Sequence, residues 1–371
     1  MRSLFLVAVV LATAGCGDDR GGAAEGGAWE RTIAPANGLS GLDAARVGDK
    51  VVVVGGADYD QAEVKALVLD LESSRWSRAA RSELPWRAGH SVVAANGDVI
   101  VWGGGPGAGA AAYDVSRDSW RRIPSGPLVG RYAHTAIWTG DEMIVWGGQV
   151  GREPRGDGAA YDPRTGRWRV IAAAPLAARS YHAAVWTGRE MIVWGGSQPL
   201  RRDRARVLEN GAAYDPRSDS WRRLAPSPIG SAPYRTLDTG LEIDLDAAWT
   251  GTRMLVWNGF IGAAYTPRKD HWTPLPPPPD RLRYWKPTDS AVWTGRRLIV
   301  FGGTARDSSS AFTVDAAAYH PDRARWTMLP PAPIAGRDRH AAVWTADAML
   351  VFGGCCRGSR HHRDGALYSP R

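Results

Sequence analysis

A paired glycine recurs along this chain and constrains its fold more tightly than any other feature. It stands at Gly55-Gly56, Gly103-Gly104, Gly147-Gly148, Gly195-Gly196, Asn258-Gly259, Gly302-Gly303 and Gly353-Gly354. Downstream of six copies comes an aromatic residue (once Leu69) with a Trp seven residues later: Leu69/Trp76, Tyr113/Trp120, Tyr161/Trp168, Tyr214/Trp221, Tyr265/Trp272 and Tyr319/Trp326. A unit of roughly 50 residues repeated in this way stacks against its own neighbours, so the whole chain forms one ring rather than the two or three domains its length suggests.

Within one unit, Ala183–Trp186 and Met191–Trp194 read as short strands joined by the turn Thr187-Gly188-Arg189-Glu190. Gly211–Tyr214 makes a third strand, Asp215-Pro216-Arg217-Ser218 turns, and Trp221–Leu224 makes a fourth. Four antiparallel strands per unit make one propeller blade. The glycine pairs with their Tyr/Trp spacings resemble the kelch repeat. The resemblance implies an all-β, seven-bladed kelch-type β-propeller over residues 28–371. The abundance of Gly (44), Pro (25) and Trp (18) suits short strands, tight turns and large packing side chains.

The last unit is incomplete. After Gly365-Ala366-Leu367-Tyr368-Ser369-Pro370 the chain reaches Arg371 where a fourth strand and its Trp are due. An orphan strand with a Trp lies at the other end, Ala28-Trp29-Glu30-Arg31-Thr32-Ile33. It is expected to complete the seventh blade and remove the open sheet edges.

Ahead of the ring, Arg2 is followed by the apolar run Leu4–Ala12 and by Thr13-Ala14-Gly15-Cys16. One positive charge, a short apolar run and small residues describe a secretory signal, too short to span a bilayer. Its ending resembles a bacterial lipoprotein signal over residues 1–16, which implies lipidation of Cys16. Residues 17–27 then read as a flexible tether. The resulting expectation is an extracytoplasmic, membrane-anchored monomer, with plain secretion as the alternative. No later stretch is long and apolar enough to be a span.

Topology divides the ring into two faces. The turns between strands one and two, and three and four, lie on one face and are short and uniform. We call this the turn face. The connections between strands two and three, and between blades, lie on the opposite loop face and vary: Gln149–Asp157, Ser197–Asn210 with Arg201, Arg202, Arg204 and Arg206, Thr304–Asp315, Cys355–Asp364 and Ser227–Asp246. Function resides on loops carried by a rigid scaffold, so the loop face is the expected binding face.

At the loop-face start of the inner strands an Arg-x-x-His pair recurs: Arg87/His90, Arg131/His134, Arg179/His182 and Arg337/His340. The sixth copy has Lys286/Asp289, and the fifth (Glu242/Leu245) and first (Leu39/Leu42) lack the pair. As a ligand site, these residues form a broken cationic ring suited to a carboxylate or sulfate. As structure, a residue type repeated in four blades serves a need of each blade, and this reading carries more weight. Asp289, Lys286, Asp244 and Asp246 are the irregular positions, and with His340 or His182 they suggest an acid/base set.

Cys355-Cys356 sits beside His361-His362 in the seventh blade's loop. With Cys16 lipidated, two thiols remain in an oxidising compartment, which favours a vicinal disulfide. Adjacent Cα atoms lie ~3.8 Å apart, less than a relaxed disulfide spans, so the loop would be stiff. Free thiols and a Cys/His metal site are the other readings, though the spacing matches no standard zinc pattern.

The kelch resemblance extends to the propellers of galactose oxidase and the bacterial sialic-acid epimerase, but their metal-ligating and catalytic residues align with nothing here. No cofactor or metal is therefore expected. The formal charge of +8 suits an anionic partner or merely a soluble surface. A binding module for an anionic glycan or a partner protein is the leading expectation. The alternative is a carbohydrate-active enzyme (epimerase, lyase or oxidase-like) at the funnel mouth. Export argues against nucleic acid, and no aromatic-basic motif of the RNA modules appears.

Overall fold

The computed structural model describes residues 26–35, 39–55, 66–85, 87–105, 107, 109–199, 205–229, 236–237, 245–282, 286–304, 312–355 and 361–370. The signal expected over residues 1–16, with Cys16, and most of the expected tether lie outside these residues. So do Arg201, Arg202, Arg204, Glu242, Asp244 and Cys356.

Seven four-stranded antiparallel sheets follow one another, each in the order inner strand, second, third, outer. The inner strands are Leu42–Val47, His90–Ala95, Thr135–Trp138, Ala183–Trp186, Asp246–Trp249, Lys286–Trp293 and Ala341–Trp344. Each inner strand contacts the next, and the seventh returns to the first, so the sheets close a ring. No helix among the described residues is long and apolar enough to cross a membrane.

The second strand of each blade explains the apolar runs. Met143–Trp146 is buried on both faces. Met143 and Val145 pack toward blade 2, while Ile144 and Trp146 pack toward blade 4. Repeating this alternation gives seven separate apolar clusters, one in each seam between adjacent blades. The protein has a wedge of core at every seam, and each blade is stable only because two neighbours cover its faces.

The seven-residue Tyr/Trp spacing is a register. Tyr113 lies directly opposite Trp120, Tyr161 opposite Trp168 and Tyr214 opposite Trp221. The rings of each of these pairs stand 5.0 Å apart, within the range of favourable aromatic contact. The outer-strand Trp of blades 2 to 6 also donates its indole N–H across the seam to the connection leaving the previous blade: Trp120 to Ala80, Trp168 to Pro124, Trp221 to Ala172, Trp272 to Ala225 and Trp326 to Pro276, at 2.8–3.1 Å.

Closure follows the same rule. Gly27–Ile33 pairs antiparallel with Asp364–Pro370 as the outer strand of blade 7, beginning one residue before the boundary read from the sequence. Trp29 faces Tyr368 with ring centroids 5.1 Å apart and donates to the Pro330 carbonyl at 2.8 Å, as its counterparts do. Arg31 adds an ion pair to Asp364 at 2.8 Å, and Thr32 accepts the Trp76 indole N–H of blade 1 at 2.6 Å. Replacing Trp29 with Ala should remove the ring contact and the indole bond together, lowering stability by about 2 kcal/mol. Thermal melting should show a clear fall in Tm, and Trp29→Phe should recover part of it. An unchanged Tm in Trp29→Ala would mean that the N-terminal strand is not the latch.

Candidate functional site

The residues read as a cationic ring are found inside the seams, not around an opening. Arg87, Arg131, Arg179 and Arg337 are only 0–1% exposed. Each bends its guanidinium back onto its own blade. The Nη1 group donates to the carbonyl of the first residue in the glycine pair, Gly103, Gly147, Gly195 or Gly353, at 2.9–3.3 Å. The Nε group donates to the carbonyl two residues upstream, Pro85, Val129, Ala177 or Ala335. Arg131 adds a bidentate pair to Asp157, Arg179 reaches the Asn210 amide oxygen, and Arg337 reaches Asp364. Such planar forks hold the second-to-third-strand connection to the start of the inner strand.

The histidines complete the seam. An added Cβ on the first glycine of a pair would stand 2.5–3.1 Å from the imidazole of the following blade: Gly55 from His90, Gly103 from His134, Gly147 from His182, Gly302 from His340. In two of the three seams without a histidine leucine takes the seat, with Leu245 over Gly195 and Leu42 over Gly353, both at 2.4 Å. The second glycine (Gly104, Gly148, Gly196, Gly354) meets the Cβ of its own blade's histidine and adopts φ of +88 to +93°. A side chain at either position therefore fails on space as well as backbone conformation.

The imidazole Nε2 groups bond back to the preceding blade. His134 meets Ser91 Oγ at 3.0 Å, His182 meets Thr135 Oγ1 at 2.8 Å, His340 meets Ser290 Oγ, and His90 meets the Val54 carbonyl at 3.2 Å. Three of the four histidines thus meet a hydroxyl, while in the His90 seam that position holds Asp43 and the imidazole turns to a carbonyl. In the seams with Leu245 and Leu42 the hydroxyl is replaced by Ala183 and Ala341. Burial, reinforced by the adjacent Arg charge, pulls His90 down to about 4, His134 and His340 to about 3, and His182 well below the ordinary value. All four are neutral at physiological pH because burial and the nearby guanidinium outweigh the hydrogen bonds, which favour the charged ring.

Lys286 and Asp289 begin the inner strand of blade 6, in the register of the Arg and His of other blades, and their side chains lie outside the description. Asp246 starts the inner strand of blade 5 opposite Trp257. No group of three or more His, Cys, Asp or Glu among the described residues is placed to hold a metal. Cys355 donates its thiol to Asp338 at 3.0 Å, and its backbone bridges to His361.

Asp43 was not among the expected site residues. It occupies the Ser/Thr/Ala position of blade 1, and its carboxylate accepts the backbone N–H of Ala44 at 2.7 Å and of Val92 in blade 2 at 2.8 Å. Enclosure by the inner strands pushes its carboxyl up to about 6, against the lowering effect of those two bonds. The signal available in the sequence was an acid at the position held by Ser91, Thr135, Ala183, Ser290 and Ala341 in five other blades, shared only with Asp246 of blade 5.

The loop face carries extra chain that the ring does not require. Gln149–Val150 pairs with Glu153–Pro154 as a hairpin above blade 3. Ser197–Pro199, Ala205–Val207 and Thr236–Leu237 form a three-stranded sheet joining the blade 4 loop to the connection toward blade 5. Residues expected as irregular loops are in part ordered sheet.

Residues 41–239, just over half of the 371, match the family model described as the KLHDC2/KLHL20/DRC7 Kelch-repeats domain. The chain belongs to the kelch-repeat family. No curated protein matches it. Kelch propellers are typically protein-interaction modules, and in this one the Arg-x-x-His pair is bonded within and between its own blades.

The seam chemistry has a measurable pH signature. The four histidines have folded-state pKa values below the unfolded 6.5, so the unfolded chain binds more protons and stability falls as pH drops from 6.5 toward 4. Asp43, raised above its unfolded value, acts in the opposite sense over about pH 4–6. Together these groups predict uptake of roughly three protons on unfolding near pH 5. The double variant Ser91→Ala/His134→Leu copies the Ala183/Leu245 seam and should stay folded with about one proton fewer taken up. Stability curves measured from pH 7 to 4.5 check this, and an unchanged slope in the variant would contradict the assignment.

Proposed function

We propose that this kelch propeller is a protein-interaction module that binds an acidic partner surface through its loop face. The observation supporting this reading most directly is the accessory sheet and hairpin over blades 3 to 5, built from chain that the ring itself does not need. Short strands there give a wider and more rigid platform than loops of the same length. Exposed Arg206 lies on this sheet and exposed Arg363 on the blade 7 loop, and neither makes an ion pair among the described residues. The basic balance of the chain would steer an acidic partner toward them.

Charge reversal tests this without touching the seams. The double variant Arg206→Glu/Arg363→Glu should keep the wild-type Tm and weaken binding of a polyglutamate peptide at physiological salt by roughly tenfold. Equal binding by wild type and variant would count against the loop face. Binding of an acidic polysaccharide in place of the peptide would transfer the reading to a glycan.

The same proposal places the propeller outside the cytoplasm, held to the membrane by lipid on Cys16 at the end of the apolar leader. Cys16→Ser should move the protein from the membrane fraction to the soluble extracytoplasmic fraction. If the variant stays with the membrane, Cys16 is not the anchor.

A further inference from the structure

The turn face carries an aromatic band that the loop-face reading leaves unused. Trp138, Trp186, Trp249, Trp293 and Trp344 each end the inner strand of their blade, one residue before the turn, in five consecutive blades. Each packs into the seam with the preceding blade and is only half-buried. The same position in blades 1 and 2 holds Arg46 and Ala94, so the band is an open arc.

These indoles differ in kind from the outer-strand tryptophans. Every outer-strand Trp described above spends its N–H on the neighbouring blade. None of the five inner indoles finds an acceptor among the described residues, and none has its N–H sealed from solvent. The turns beside them are satisfied internally. Thr139, Thr187, Thr250, Thr294 and Thr345 each donate to the carbonyl three residues on, and accept a backbone N–H within the same turn. The arc thus presents apolar ring faces with hydrogen-bond donors, while the carboxylates of the adjoining turns are drawn to other partners, Glu142 to Arg169, Glu190 to Arg222, Asp141 to Arg164 and Asp347 to Thr345.

The geometry points to a second interaction site at the turn-face ends of the inner strands, taking a proline-rich extended segment of a partner protein. Proline offers a carbonyl acceptor and an apolar ring, and has no N–H that would need an acceptor. Its extended helix is preformed, so docking on an aromatic surface costs little ordering. A saccharide would also stack on indoles, but its hydroxyls would bring donors that the arc does not match. This site lies on the face opposite the proposed acidic-partner platform, so either can fail without the other.

Titration of the full chain with a synthetic polyproline peptide, followed in the indole region of a ¹H–¹⁵N spectrum, tests the assignment. The five inner-strand indole signals should shift while those of the outer strands stay still. Trp186→Phe/Trp249→Phe keeps the rings and removes two donors. It should hold the wild-type Tm and bind roughly tenfold more weakly. No shift with polyproline, or undiminished binding in the double variant, would overturn the proposal. So would a neutral oligosaccharide that moves the same five signals when polyproline does not.

Discussion

The structure depends on one contact made repeatedly, the seating of a side chain from one blade on the bare backbone of the glycine before it. At Gly103 there is no room for a Cβ because the His134 ring occupies that space. The guanidinium of Arg131 grips the Gly147 carbonyl of its own blade, while its histidine leans back onto Gly103 and Ser91 of the previous one. Each of the four units with the Arg-x-x-His pair therefore locks its own loop and its neighbour in the same few residues. A ring assembled this way has no central core and gains rigidity from seven similar wedges.

That rigidity separates the work of the two faces. Near the loop face the seam is buried and charged, with neutral histidines held among buried arginines. The accessory sheet is built on top of this fixed base, so its shape is set by the ring beneath it. On the turn face the connections are minimal, and the inner-strand tryptophans are left half-buried at the strand ends. The two surfaces differ accordingly: one extends outward on added chain, and the other is an aromatic arc set into the scaffold.

The local pattern revealed the blades because it is periodic and short-range. Tyr214 and Trp221 must sit seven apart to face each other across a four-residue turn, and a missing Trp near Arg371 with a spare one at Trp29 implies closure. The loop-face sheet was not legible, since its strands are two or three residues long and Thr236–Leu237 joins from far along the chain. Nor was the role of Arg179 or His182 decidable from the string. Both cationic rings and buried staples repeat with the blade, and only the placement of Arg179 on its own Gly195 and of His182 on Gly147 of the preceding blade distinguishes them. Asp43 stood out only once its neighbours Ser91 and Thr135 were known to meet histidines.

The central claim is that the recurrent histidines are sealed, neutral parts of the seams. Imidazole ¹⁵N chemical shifts of the folded protein, followed from pH 8 down to 5, test it directly. His90, His134, His182 and His340 should keep the shifts of a neutral ring throughout that range. Titration of these four with midpoints near 6.5 would contradict the account, showing that the rings are open to water and available to a ligand.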